Sequence, residues 1–530
     1  MHDLVISNAR IVDGTGSPAI PGGVAVSGGK IAALGPEITE ATPASRHIDA
    51  KGHVASPGFI DLHSHSDAEF LVNDRLEAKL LQGVTSEVIG QCGLSLVPTA
   101  DATLQDHLTY SGMLLSQEAL ASIDWKTMRG MADYGRYLDG RKFSINAAPL
   151  IGQGTLRIAV MGFKGGEPSP AEQEAMETLL DENLRAGAWG LSLGLVYPPG
   201  SFTTLPELVG LARVVAKHNG IIHAHIRGES VTVFDATREM IDLARQSGAH
   251  VHISHFKLIG KAQWGRAAEL LAMVADARKE GVNIDADQYP YTGSSTGLGV
   301  LVPKWAMEGG LDGLLRRLAA SERGRVVDDI SAEMDRRGGP EAVMVTSNGR
   351  FPEYDFRRVK ELAAAEKVTG GEMVARILEK TRGTANAIYF SMDQKDMLTI
   401  MASDFVSVGS DGYALNFDQA RGAQHPRSFG TFPRFIRTVL DERIMPLEKA
   451  VWKITGLAAS MMGMRDRGVI APDKAADLVI FDPDAIRDTA TFENAFQKPE
   501  GISTIIVNGK VAVQNNALTD AREGVCLRHE

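Results

Sequence analysis

Short apolar runs separated by amphipathic stretches fill the middle of the chain. Between about residues 56 and 456, runs at 189–196, 221–225, 250–256, 282–289 and 405–409 read as buried strands. The stretches between them carry helical spacing, which is the pattern of repeated βα units with parallel strands. One such stretch shows the logic. Ser169-Pro170-Ala171-Glu172 supplies a capping serine, a proline at the first helical position and a glutamate two residues on, and Met176, Leu179, Leu180 and Leu184 then share one face until Gly187 ends the helix. The two ends of the chain are patterned differently. Residues 4–12, 23–29 and 30–35 read as short antiparallel strands divided by Gly and Asn turns, and 478–481, 505–507 and 510–513 repeat that style. The last two are joined by Asn508-Gly509, the residue pair of a type I′ hairpin. Both termini are therefore expected to share one small sheet domain. Residues 303–381 interrupt the rhythm with charged helical sequence, notably 311–337, and predict an inserted lobe.

Composition narrows the partners. A chain of 530 residues with 44% hydrophobic content can bury one large domain and a smaller one. Its formal net charge of −11 argues against nucleic acid, whose phosphates are bound by clustered Lys and Arg. Two cysteines, Cys92 and Cys526, are a poor disulfide framework for this length and favour a reducing compartment. Residues 1–16 lack a basic segment followed by an apolar core, and no later run approaches the ~20 apolar residues of a membrane span. A soluble, cytoplasmic protein with neither membrane nor nucleic-acid partners is expected.

Candidate chemistry gathers at strand ends. In Phe59-Ile60-Asp61-Leu62-His63-Ser64-His65-Ser66-Asp67, His63 and His65 stand two residues apart at the end of a strand and face one side. Alone, such a pair serves a metal and a hydrogen-bonded structural role equally well. Its company shifts the balance: His225, His255 and Asp411 each end or follow another apolar run, as does Cys92 in Gly90-Gln91-Cys92-Gly93. In a (β/α)8 barrel the C-terminal strand ends converge on one mouth, so ligands distant in sequence can meet around one ion. A lone Cys is more often a small buried hydrophobe, and an Asp followed by Gly is often a turn residue. His223, His250 and His252 each neighbour a better-placed histidine and read as structural, and Asp67 as a capping or supporting residue.

Taken together, these segments resemble the amidohydrolase superfamily and, within it, the D-aminoacylase or N-acyl-D-amino-acid deacylase family. The similarity continues through residues 187–199, His225-Ile226-Arg227-Gly228-Glu229, Ser254-His255-Phe256-Lys257, Gln288-Tyr289-Pro290-Tyr291, Gly409-Ser410-Asp411-Gly412, His425-Pro426-Arg427 and Ala475-Ala476-Asp477-Leu478, and covers nearly the whole chain. It implies an α/β fold, a (β/α)8 TIM-like barrel over 56–456 with a small β-sandwich domain formed by residues 1–55 and 457–530. It also implies a tight zinc site on Cys92, His225 and His255 and a second, weaker one on His63, His65 and Asp411. No strand-end lysine matches the carboxylated bridge of many superfamily members, so Cys92 takes the bridging place. Asp411 is the implied acid/base in amide hydrolysis.

By the same resemblance Lys257, Tyr289 and Arg427 are candidates for the substrate carboxylate, and Tyr197 for the scissile carbonyl. Each has an ordinary alternative: a surface lysine, a buried tyrosine, an ion-paired arginine, a packing ring. Residues 297–302, Gly-Leu-Gly-Val-Leu-Val, offer no cation to a D-glutamate side chain, which points to apolar N-acyl-D-amino acids. Two positions depart from the family pattern, Gln153 where His is usual and Lys304 where Pro is usual. A cyclic amidase of the hydantoinase type would share the barrel but should carry the bridging lysine. A non-catalytic binding protein should have lost ligands, whereas all six candidate positions are present.

Overall fold

The computed structural model describes residues 1–112, 117–347, 349–419 and 422–530. Its fold is mixed α/β. A six-stranded parallel sheet runs in the spatial order Val406–Val408, Ile284–Gln288, His250–Ile253, Ile221–His225, Gly190–Gly194, Ile151–Gly152. A second parallel sheet holds Phe59–Asp61, Val84–Ile89 and Asn146–Pro149. Hydrogen bonds join the two at both margins. On one side Leu150 N–H donates to Ile89 O and Trp189 N–H to Pro149 O, each at 2.9 Å. On the other, Asp411 N–H donates to His63 O at 2.7 Å and His65 N–H to Gly412 O at 2.9 Å. Helices follow the strands, as the alternation predicts.

Element boundaries moved where the backbone leaves the sheet. The helix Pro170–Arg185 forms with the expected Ser169/Glu172 capping box and stops just short of Gly187. The strand expected at 23–29 is Ile20–Ser27, because Gly28 and Gly29 turn with φ of 58° and 78°. The one expected at 250–256 ends at Ile253, and His255 beyond it adopts φ 40°. The charged stretch at 311–337 forms two helices, Gly310–Leu318 and Arg323–Arg336. Apolar residues from Leu298 to Tyr389 make a cluster of their own beside the antiparallel strands Ser294–Gly297, Val343–Thr346 and Asn386–Tyr389. Among the described residues no helix is long and apolar enough to cross a membrane.

Both termini build one nine-stranded sheet, joined where Leu478–Phe481 pairs antiparallel with Val54–Pro57. Alternation assigns its faces. Ala55, Leu478, Ile480 and Ile506 pack into a cluster within this module, while Val54, Val479, Phe481 and Ile505 join the main core with Phe59 and Phe432. The Asn508-Gly509 turn has φ of 47° and 82°, as a type I′ hairpin requires.

Two buried lysines fix the strand ends that matter. Lys79, on the short helix Glu77–Leu80, is fully buried; its Nζ lies 2.5 Å from Asp61 Oδ2, 2.6 Å from Ser410 Oγ and 3.3 Å from Glu87 Oε2. Asp61 in turn accepts from the backbone N–H of His63 and of Ser410, so one cation ties residues 61–63 to 410–411. Lys453, on Leu447–Ile454, donates to the carbonyls of Met401 and Ser403 ahead of the strand Val406–Val408. Burial brings its pKa down to about 7.

Lys79→Met leaves Asp61 and Glu87 as buried, unpaired carboxylates and should lower stability by about 3–5 kcal/mol in urea unfolding, with partial recovery on adding Glu87→Gln. For Lys453 the unfolded chain keeps, between about pH 7 and pH 10, a proton that the folded chain has lost, so raising the pH favours folding. Stability of the parent relative to Lys453→Met should therefore climb across that window and level off below about pH 7, as followed by unfolding at a series of pH values.

Candidate metal centre

Three of the candidate ligands adopt a left-handed backbone: Cys92 at φ 54°, His255 at 40° and Asp411 at 53°. For residues other than glycine this conformation costs of order 1–3 kcal/mol each and persists only where the surroundings impose it. Here it turns each side chain inward as its segment leaves the sheet. The thiol of Cys92 lies at the centre of the result. Its Sγ is 3.4 Å from His63 Nε2, 3.5 Å from His225 Nδ1 and 3.8 Å from His255 Nε2, and the last two nitrogens are 3.0 Å apart. Donor atoms of Cys92, His225 and His255 fall within 4.8 Å of one another, and so do those of His63, His65 and Cys92. Asp411 closes the second group: its Oδ1 is 3.0 Å from His65 Nε2 and 3.6 Å from His63 Nε2. All six positions expected from the sequence therefore converge, with Cys92 common to both groups.

The donors suit a cation. Burial holds His65 and His225 uncharged, which is the form that ligates, and pushes the Cys92 thiol up, so that an ion entering here displaces its proton. Glu229 Oε1 lies 2.9 Å and Lys257 Nζ 2.7 Å from His255 Nδ1, which fixes the ring with its Nε2 facing Cys92 and His225. Burial opposes the charge of Asp411, but Arg427 and His65 outweigh it and hold the carboxyl well below its usual range.

The expected carboxylate binders also meet. Lys257 Nζ stands 5.6 Å and Arg427 Cζ 5.1 Å from the centroid of the Tyr289 ring, whose buried hydroxyl has no hydrogen-bond partner among the described residues. Lys257 is not the surface lysine of the alternative reading. It is buried, pairs with Glu229 and approaches His255 Nδ1 at 2.7 Å. Arg427 Nη1 lies 2.8 Å from Asp411 Oδ2 without hydrogen-bond alignment, and its Nη2 donates to Ser295 O. Tyr197 lays its ring 5.1 Å from that of His225, but its hydroxyl is engaged with Thr296 Oγ1 at 2.9 Å.

The remaining expectations fall outside this centre. Gln153 bonds Thr203 and Glu207, and Lys304 is an exposed residue at the start of a short helical turn. His250 bonds Asp285, and His252 is clasped between Asp285 and Asp287, an arrangement that burial opposes but the two carboxylates carry, raising its pKa to about 9. His223 packs against His252 and bonds Gln91. Asp67 is buried, which brings its carboxyl up to about 7.

Two residues under the centre were not anticipated. Asp287 accepts from the backbone N–H of His255 at 2.7 Å and lies 3.6 Å from His63 Nδ1, so it supports one ligand of each group. Its signal was the Asp285/Asp287 alternation on Ile284–Gln288, which puts two carboxylates on one face. Lys79 had no comparable signal, being one lysine in a helical segment.

A model described as the amidohydrolase family matches residues 46–513. The chain is 35% identical over 532 residues to an N-acyl-D-glutamate deacylase of Alcaligenes xylosoxydans xylosoxydans, covering 100% of this chain and 97% of that one. It is 33% identical over 527 residues to a D-aminoacylase of the same organism, covering 99% and 97%. Among solved structures, an N-acyl-D-glutamate deacylase of Bordetella bronchiseptica, complexed with zinc and a phosphonate mimic of the tetrahedral intermediate, aligns with a TM-score of 0.83 at 33% identity over 99% of each chain. With its mixed α/β fold and its Cys and His donors in place, this chain belongs to the amidohydrolase family and groups there with the N-acyl-D-amino-acid deacylases.

Proposed function

We propose that this protein hydrolyses the amide bond of N-acyl-D-amino acids with the help of zinc, releasing a carboxylate and a free D-amino acid. The observation that carries this reading is the thiol of Cys92 set between two groups of histidines, beside the Asp411 carboxylate, whose Oδ1 lies 3.0 Å from His65 Nε2. The two parallel sheets, joined by hydrogen bonds at both margins, support a further part of this reading, that residues 56–456 close into one (β/α)8 barrel. Residues 1–55 and 457–530 form its β-sandwich companion, and a lobe is inserted at about 303–381.

Cys92, His225 and His255 would hold the tight ion, because a thiolate and two imidazoles suit zinc; His63, His65 and Asp411 would hold a looser one. The chemistry such an ion supplies when bound is Lewis acidity toward the amide carbonyl and the attacking water. Asp411 takes the proton of that water on its carboxylate and passes it to the leaving nitrogen. Arg427, Lys257 and the free hydroxyl of Tyr289 receive the substrate carboxylate, which draws Arg427 toward the substrate and leaves Asp411 to its acid/base work. Tyr197 packs against His225 and fixes Thr296 at the edge of the site. The segment that continues from Thr296, residues 297–302, would line the side-chain pocket, and its apolar, uncharged sequence favours apolar D-amino acids.

Asp411→Asn should reduce turnover by about 10²- to 10⁴-fold while the tightly held zinc is retained by elemental analysis after dialysis; near-parental turnover would remove Asp411 from its role. A hydrolysis screen over paired N-acetyl-D- and L-amino acids, with a hydantoin included, should show activity on the D-series, strongest for Leu, Met and Phe. Activity confined to L-substrates or to the ring would overturn the assignment, and a preference for D-glutamate would overturn the side-chain preference alone.

A further inference from the structure

A cavity of about 310 Å³ opens where the lobe meets the segment that leaves the metal centre, and it shares no residue with that centre. Its lobe wall carries Arg337, Glu341 and Arg358; its other wall carries Lys261, Trp264 and Ser391. Arg337 is already paired with Glu333 at 2.8 Å, so the cations that face Glu341 across the cavity are Lys261 and Arg358. Arg358 lies over the Phe390 ring with its Cζ 3.9 Å from the centroid, so that its plane is fixed and its nitrogens project sideways. Its Nη1 is buried and has no hydrogen-bond partner among the described residues. Nor has the hydroxyl of Ser391, a residue only 1% exposed, although the Ser391 carbonyl accepts from Gly260 N–H and Trp264 Nε1–H. Buried polar atoms are almost always paired, by protein, water or ligand. Two such atoms, one a guanidinium nitrogen and both able to donate, belong to residues that line one cavity, and a rotamer change brings either to an acceptor held there.

We propose that this cavity binds a small organic or inorganic oxyanion, through Arg358 and Ser391 with Lys261 supplying further charge. Guanidinium and hydroxyl donors match carboxylate or phosphate oxygens, and Trp264 with Phe390 offers an apolar flank to whatever carries the head group. The volume admits a dicarboxylate or a phosphate with a short carbon chain. The site goes beyond the hydrolytic reading and stands whether or not that reading holds.

The test is isothermal titration of the full-length zinc-loaded protein with inorganic phosphate and, separately, with succinate, both against sodium chloride at matched ionic strength. At least one anion should bind, and Arg358→Gln should weaken it tenfold or more while hydrolysis of the best N-acyl substrate stays at the parental rate. Lys261→Gln, at an exposed position, gives a second variant that should weaken binding without touching the fold. Binding of phosphate alone or of succinate alone identifies the head group. The proposal fails if neither anion binds, or if both variants bind as the parent does.

Discussion

The hydrogen bonds between His63 and Asp411 and between His65 and Gly412 set the terms for everything around them. They join segments that lie at opposite ends of the central region, and they do so at the level where the strands end. A register shift of one residue there would turn His63 and His65 to the other face. Lys79, Asp61 and Ser410 hold that register from below by a buried ion pair and its hydrogen bonds. Cys92, His255 and Asp411 then depart from extended geometry into the left-handed region, and the strain is sustained because both flanks of each residue are anchored.

The electrostatics follow a layered plan. Two of the imidazoles are backed by a carboxylate one step deeper: Glu229 behind His255, Asp287 behind His63. Those carboxylates are themselves matched by Lys257 and His252, so that the buried charge is paired rather than isolated. Such a shell orients the imidazole rings before any ion arrives and lowers the reorganisation needed on binding.

The strand ends were legible because ligation needs particular residue types at positions the two-residue period can locate. His63, His65, Cys92, His225, His255 and Asp411 all sit beyond apolar runs, and all meet. Lys257, Tyr289 and Arg427, suggested by resemblance, cluster as well. The supporting residues were less visible. A buried lysine such as Lys79 has no local signature, since its partners come from three other segments and only the folded chain brings them together. The contact between Arg427 and Asp411 was hidden for the same reason: each residue could be assigned a role, but not their proximity. Strand limits were overestimated where apolar sequence continues past the last ladder bond, as at 250–256, because the residues that carry chemistry must leave the sheet to reach it.

The sheet shared by the two ends of the chain has a consequence in time. Val54–Pro57 is synthesised well before its neighbour Leu478–Phe481, which emerges about 420 residues later. At roughly 5–20 residues per second that is an interval of about 20–85 s, during which the N-terminal strands present an open, apolar edge. The later strands must therefore find an edge that has waited through synthesis of the whole central region, and protection of that edge in the interval becomes part of how the protein is produced.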